Sequence, residues 1–166
     1  MQIRIQSTGA VMYEAEFRRL YPKTSFPRQI SEATLNDFGA DVVFEGPQAT
    51  GGTVYQYSQQ DGVEQDSQGR WFTKYILGPV FTDRAAEGDQ PAQTAAEQET
   101  AYKATKDAEQ AANVRRSRTE MLNDCDWTQI ADSTADKTAW ATYRQSLRDI
   151  TDQAGFPWTV TWPDAP

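Results

Sequence analysis

Residues 92–125 read AQTAAEQETAYKATKDAEQAANVRRSRTEMLNDC, and this stretch decides how the chain is organised. It contains no glycine and no proline, and it is rich in Ala, Glu, Gln, Lys and Arg, which are strong helix formers. Pro91 stands just before it, where a proline is tolerated at the start of a helix. We therefore predict one long helix, about 50 Å in length at 1.5 Å per residue.

The predicted helix offers little apolar surface to a globular core. Its large apolar side chains are Tyr102, Val114, Met121 and Leu122. Such a helix either crosses solvent as an arm or packs on another chain through small side chains. The second interpretation is favoured by alanines at near-helical spacing, namely Ala101, Ala104, Ala108, Ala111 and Ala112. The stripe predicts a homo-oligomer through the long helix, although no strict heptad repeat accompanies it.

The segment after the long helix has a different pattern. Asp136 is suited to cap a new helix, and apolar residues then recur at helical spacing, at Trp140, Tyr143, Leu147 and Ile150. Gly155 is expected to end this helix. Beyond it, Trp158 to Trp162 alternates apolar and polar residues, which predicts an extended tail whose tryptophans fold back over the helix.

The first half of the chain is punctuated like a small α+β domain. Strands are predicted over residues 2–6, where polar and β-branched residues alternate, and over residues 41–45, where β-formers follow one another. Short helices are predicted over 14–21 and 31–39. Two further β-rich runs, at 54–57 and 71–76, flank a polar connection with Asp61-Gly62 and Gln68-Gly69, which predicts a hairpin or meander. The predicted organisation is a domain over 1–81, a linker over 82–91, and a helical region over 92–166.

Composition and charge exclude several classes of partner. The net charge is −8, and acidic residues outnumber basic ones in both halves, so no nucleic-acid-binding surface is predicted. The basic cluster Arg115, Arg116 and Arg118 has acidic neighbours and is interpreted as a solvated, salt-bridged helix face. No run of about 18 apolar residues occurs, so no membrane span is predicted.

The residue types needed for common catalytic sites are absent. The chain has no histidine and a single cysteine, Cys125, so Cys-His and imidazole-based sites are excluded. Neither a phosphate-binding glycine loop nor a calcium loop is present. We predict a non-enzymatic protein without metal or cofactor. A carboxylate-dependent glycan hydrolase, with two facing carboxylates, stays open as an alternative.

Aromatic residues are the candidates for partner binding. Tryptophans at this density either build a small core or anchor an interface. The candidates are Trp127, Trp140, Tyr143, Phe156, Trp158 and Trp162. Arg144 and Arg148 are predicted to pair with Asp126 or Asp132 across a helical hairpin and to fix its geometry.

The order of motifs over residues 113–163 resembles a known family. A basic helix end at Arg115-Arg116-Ser117-Arg118 is followed by Cys125-Asp126-Trp127-Thr128-Gln129. The helix then reads Trp-x-x-Tyr-Arg-x-x-Leu-Arg-Asp from Trp140, and the exit reads Gly155-Phe156-Pro157-Trp158. This arrangement resembles the tail assembly chaperone proteins of tailed bacteriophages. The family usually has a Pro-rich or acidic connection where this chain has residues 131–135.

The resemblance implies a phage protein that acts in tail or tail-fibre assembly by binding another tail, fibre or baseplate protein. Its place would be the host cytoplasm during assembly. Two versions stay open: a transient assembly factor, and a structural adaptor that stays in the virion tail. A stand-alone oligomeric coiled-coil module is a further alternative.

Overall fold

The computed structural model describes residues 1–166, and it shows two compact units, Met1–Val80 and Phe81–Pro166. The first unit contains β1 (Gln2–Ile5), β2 (Val11–Tyr13), α1 (Glu14–Leu20), α2 (Glu32–Asp37), β3 (Ala40–Phe44), β4 (Tyr57–Gln65) and β5 (Trp71–Gly78). The second contains α3 (Ala95–Asp124), α4 (Lys137–Arg148) and 3-10 turns at Asp126–Gln129 and Asp149–Asp152. The predicted α+β fold class is confirmed.

The five strands of the first unit form one mixed sheet with the order β2-β1-β3-β5-β4. Strands β3 and β5 are parallel, and the other neighbours are antiparallel. The sheet is curled. The side-chain amides of Gln2 on β1 and Gln60 on β4 lie 3.1 Å apart, although two other strands lie between β1 and β4 in the sheet. In a flat sheet, three strand spacings would hold these strands about 14 Å apart.

The predicted hairpin is confirmed, but its boundaries differ from the prediction. The first arm runs over Tyr57–Gln65, through residues that were expected to form the polar connection. The register shifts between Gln60 and Val63, so Asp61-Gly62 forms an irregularity inside β4. The turn lies at Asp66–Gly69, where the Asp66 carboxylate accepts hydrogen bonds from the backbone of Gln68 and Arg70, each 2.9 Å long. Strand β2 was not predicted, since three residues are too few to show a period.

The core of the first unit lies between the sheet and the two short helices. Ile3, Phe17 and Leu35 are completely buried. Phe17 also contacts three half-buried rings, those of Tyr21, Phe26 and Phe38, at centroid distances of 5.2, 5.7 and 6.5 Å. Aromatic packing of this kind gives a small sheet much of its buried apolar area.

Helix α3 confirms the long helix that the sequence predicts. It begins with a capping box, in which the Glu97 carboxylate accepts a 2.8 Å bond from the Thr94 amide and the Thr94 hydroxyl accepts from the Glu97 amide. The bond from the Thr94 amide, and next the bond that the Thr94 hydroxyl donates to the same carboxylate, lower the pKa of Glu97. Pro91 precedes the helix rather than forming its first turn.

The alanine stripe is divided by the packing of the second unit. Ala111 is buried, whereas Ala101, Ala104, Ala108 and Ala112 are exposed. Oligomerisation through the stripe therefore stays a prediction.

Helix α4 folds back beside α3, and the carboxylate of Asp136 caps it as predicted, accepting bonds of 3.0 and 3.1 Å from the amides of Thr138 and Ala139. The buried apolar residues of this helical hairpin are Ala111, Val114, Cys125, Leu147 and Ile150. This core is thin, since only Leu147 and Ile150 are large and completely buried.

Candidate partner-binding surface

The turn between the two helices of the hairpin places one large ring outside. Cys125, the residue that follows the end of α3, is buried. Thr128 is also buried, and its hydroxyl donates a 2.7 Å bond to the Cys125 carbonyl. The residue between these anchors, Trp127, is 53% exposed, and Ile130 just beyond is 55% exposed. The local fold thus buries the small side chains and leaves the large apolar ones in solvent.

Arg144 on α4 holds this turn in place. Its guanidinium donates to the Leu122 carbonyl at 2.8 Å and to the Cys125 sulfur at 2.9 Å, and it pairs with the Asp126 carboxylate at 2.8 Å. The predicted ion pair of Arg144 with Asp126 is confirmed. The predicted pairing of Arg148 is wrong, because Arg148 is exposed and forms no ion pair. Burial works against the charge of the side chain, but the hydrogen bonds to Asp126 and Cys125 outweigh it and raise the pKa of Arg144.

An aromatic row supports the exposed ring. Trp127 meets Trp140 edge-on with centroids 5.9 Å apart, and Trp140 meets Tyr143 at 5.5 Å and 89°. Trp140 and Tyr143 are half-buried, and burial raises the pKa of Tyr143 above its ordinary value. We call the surface formed by Trp127, Ile130 and Trp140 the aromatic knuckle.

The C-terminal tail contacts α3. The Trp158 indole donates a 2.6 Å hydrogen bond to the Asp107 carboxylate, halfway along α3. The Arg115 guanidinium lies over the Phe156 ring, 5.3 Å from its centroid. The tail is therefore fixed to the long helix through two of its aromatic residues. The predicted extended conformation is wrong at Trp158, because residues 154–158 form turns, in which the amides of Trp158 and Thr159 bond to the Gly155 carbonyl.

Polar bonds within the tail add to its order. The Gln153 amide donates a 2.8 Å bond to the Thr161 carbonyl, and its oxygen accepts a 2.7 Å bond from the Thr161 amide. Gly155 is required by a close approach, because a Cβ atom there would lie 2.1 Å from the carbonyl oxygen of Thr159. The prediction that Gly155 ends α4 is wrong, because α4 ends at Arg148 and a 3-10 turn follows over Asp149–Asp152.

The structure separates the six aromatic candidates by exposure. Trp127 is the exposed one, and Trp140, Tyr143, Phe156, Trp158 and Trp162 are half-buried. Two contributors were missed by the sequence reasoning, Ile130 in the knuckle and Asp107 beneath the tail. Ile130 could have been found as a lone large aliphatic residue in a polar turn, whereas nothing in the local sequence marks Asp107.

The basic cluster is not a salt-bridged face as interpreted. No ion pair joins Arg115, Arg116 or Arg118 to a carboxylate. Arg118 is half-buried, and its Nε atom lacks a hydrogen-bond partner.

Carboxylates do not gather into an evident chemical centre. No group of three His, Cys, Asp or Glu side chains is placed to hold a metal ion. A cavity of 270 Å³ in the first unit is lined by two carboxylates, Glu64 and Asp66. Asp66 pairs with Arg70 at 2.8 Å, and hydrogen bonds from the Arg70 backbone lower the pKa of its carboxyl. A general acid of a glycosidase needs a raised pKa instead.

Comparison with known proteins confirms the resemblance seen in the sequence. Residues 111–166 match the family model described as phage tail assembly chaperone protein. No curated protein and no solved structure matches the chain. None of the helices is long and apolar enough to cross a membrane. The family match covers the knuckle, α4 and the tail, and it supports a role in phage tail assembly.

Proposed function

We propose that this protein is a non-catalytic tail assembly factor that binds another tail, fibre or baseplate protein through the aromatic knuckle. The observation that carries the proposal is the exposure of Trp127 on a turn held by Arg144. The proposed site lies within residues 111–166, the segment that matches the family model.

The knuckle is organised before a partner arrives. Arg144 holds the turn through bonds to the Leu122 carbonyl, the Cys125 sulfur and the Asp126 carboxylate. Trp140 contacts Trp127 edge-on. A side chain that is already fixed loses little conformational entropy on binding. Tryptophan at the centre of an interface is also the residue type that contributes most to binding energy.

The tail contributes to the site indirectly in this proposal. Phe156 and Trp158 contact Arg115 and Asp107 of α3, so their first role is to order the second unit. Trp162 is half-buried and belongs to the same tail. The proposed partner surface is accordingly the knuckle, with Tyr143 behind it as support.

Complementation of a phage that lacks this protein tests the proposal. Trp127→Ala should reduce the yield of complete tails and the capture of the tail partner by at least about tenfold, as expected for a central tryptophan. Val54→Ala is the matched control, because Val54 is 57% exposed in the first unit. Circular dichroism must show both variants folded.

Mass spectrometry of the purified virions then separates the two versions of the function. A fixed amount of the protein per particle identifies a structural adaptor, and its presence only in infected-cell lysate identifies a transient factor of the host cytoplasm. Normal tail yield with Trp127→Ala would refute the proposed binding site.

A further inference from the structure

The knuckle is surrounded in sequence by acidic residues without matching cations. From residue 119 to residue 136 the chain contains no lysine and no arginine. The acidic residues in this range are Glu120, Asp124, Asp126, Asp132 and Asp136. All five are exposed, and three of them, Asp124, Asp126 and Asp132, lie within five residues of Trp127 in the sequence, so the turn that carries the apolar ring also carries negative charge.

The first two cations that follow this range in the sequence, Lys137 and Arg144, are already engaged inside the protein. Arg144 bonds to Asp126 and to the end of α3, and it is 11% exposed. The Lys137 ammonium donates to the Ile130 carbonyl at 3.0 Å. Glu120, Asp124 and Asp132 form no ion pair within the chain, which leaves their charge for a partner.

The end of α3 adds to the negative potential. A helix carries a partial negative charge at its C-terminus, where basic side chains are normally favourable. The last turn of α3 contains no basic residue, and its final residue is Asp124. This carboxylate lies at the unfavourable end of the helix, so an incoming cation would relieve the repulsion.

We propose, on the basis of the function proposed above, that the knuckle binds a basic segment of the partner protein that also carries an apolar side chain. The apolar side chain packs on Trp127 and Ile130, and lysine or arginine side chains meet the carboxylates of Asp124 and Asp132. A guanidinium placed over the exposed indole face gains a cation–π interaction as well. The exposed apolar surface and the unpaired negative charge are thus satisfied by one segment.

Fluorescence anisotropy with designed peptides tests this recognition on the full-length protein. The probe is a labelled amphipathic peptide with leucines on one face and lysines on the other, and the comparison peptide carries glutamates in place of the lysines. The basic peptide should bind and the acidic one should not. Binding should weaken as salt rises, because exposed charges are screened.

Variants assign the binding to the knuckle. Trp127→Ala should weaken binding at least about tenfold. The double variant Asp124→Asn with Asp132→Asn should also weaken binding and should reduce its salt dependence. The matched control, Asp89→Asn with Asp164→Asn, changes the net charge equally at exposed positions and should bind as the wild type does.

Three results would overturn the inference: equal binding of the two peptides, equal effects of the two double variants, or self-association of the wild type that Trp127→Ala abolishes in sedimentation. The last result would identify a second copy as the occupant of the knuckle.

The phage complementation separates this inference from the proposed function. If Trp127→Ala prevents tail formation although the basic peptide does not bind, the function holds and the charge recognition is wrong. If the peptide binds at the knuckle and Trp127→Ala phages form normal tails, the proposed function is wrong.

Discussion

The two units of the protein are stabilised in different ways. In the first, three large apolar residues, Ile3, Phe17 and Leu35, are completely buried and are surrounded by further aromatic rings. In the second unit, the large residues that are completely buried are Leu147 and Ile150. Most tryptophans of the chain belong to this unit, but none of them is completely buried. The second unit keeps part of its aromatic surface outside and depends on polar bonds for its geometry.

This difference indicates a division of roles within the second unit. The bonds of Arg144, Trp158 and Gln153 fix the turn and the tail, and they do so without burying Trp127. A polar bond of this kind has a defined geometry, whereas apolar contacts alone tolerate several arrangements. A module that is ordered by polar bonds can leave a tryptophan exposed for a partner.

Truncation of Phe17 is expected to have the largest effect on stability, and it tests whether the two units are stabilised separately. Phe17→Ala should cost about 3–5 kcal/mol of the first unit's stability, because lost transfer energy and the remaining cavity add together. Hydrogen-exchange mass spectrometry would report the loss separately for peptides of each unit. Equal loss of protection in both units would show that they unfold together, and the comparison would then fail.

Replacement of Arg144 should have the next largest effect. Arg144→Met removes the bonds to Leu122, Cys125 and Asp126, and it should cost about 2–3 kcal/mol, as for hydrogen bonds that involve a charged group. Urea unfolding followed by tryptophan fluorescence would measure it. Arg148→Met is a closely matched control, because Arg148 lies one turn further along the same helix and is exposed, and it should cost less than about 0.5 kcal/mol. Similar costs for both variants would refute the special role of Arg144.

Much of the fold followed from local patterns, and the predictions failed where long-range contacts decide. The long helix could be predicted because a long stretch without glycine or proline is a local signal. Asp136 was recognised as a helix cap from its residue type and its position. The parallel pairing of β3 with β5 and the curl of the sheet depend on residues distant in sequence. No propensity of a short segment encodes them.

The candidate site shows the same limit. Trp127 was identified among six aromatic candidates, but its exposure follows from the burial of Cys125 and Thr128 on either side. A completely buried tryptophan would cost about 3–5 kcal/mol when it is truncated to alanine, and the sequence pattern alone does not show how deeply Trp140 is buried. It is half-buried, so a smaller cost is now expected. The anchor of Trp158, the Asp107 carboxylate, is 51 residues away in sequence.

The titration of Tyr143 gives the smallest effect, and it tests how well the aromatic row is shielded from water. Burial first, and then the electrostatic influence of Cys125 and Asp124, raise the pKa of Tyr143 above its ordinary value of 10.0. A pKa that is higher in the folded state means that folding is favoured while the phenol is protonated. This contribution is complete below the unfolded pKa and is lost as the pH rises through the folded one.

Absorbance at alkaline pH would follow the phenols, with urea-unfolded protein as the reference. The native protein should show a late-titrating phenol that Tyr143→Phe removes, and the reference should not. Above the unfolded pKa, the free energy of unfolding should fall more steeply in the wild type than in Tyr143→Phe. If the native curve coincides with the reference curve, the row is open to water, and the second unit is held less firmly than its polar bonds indicate.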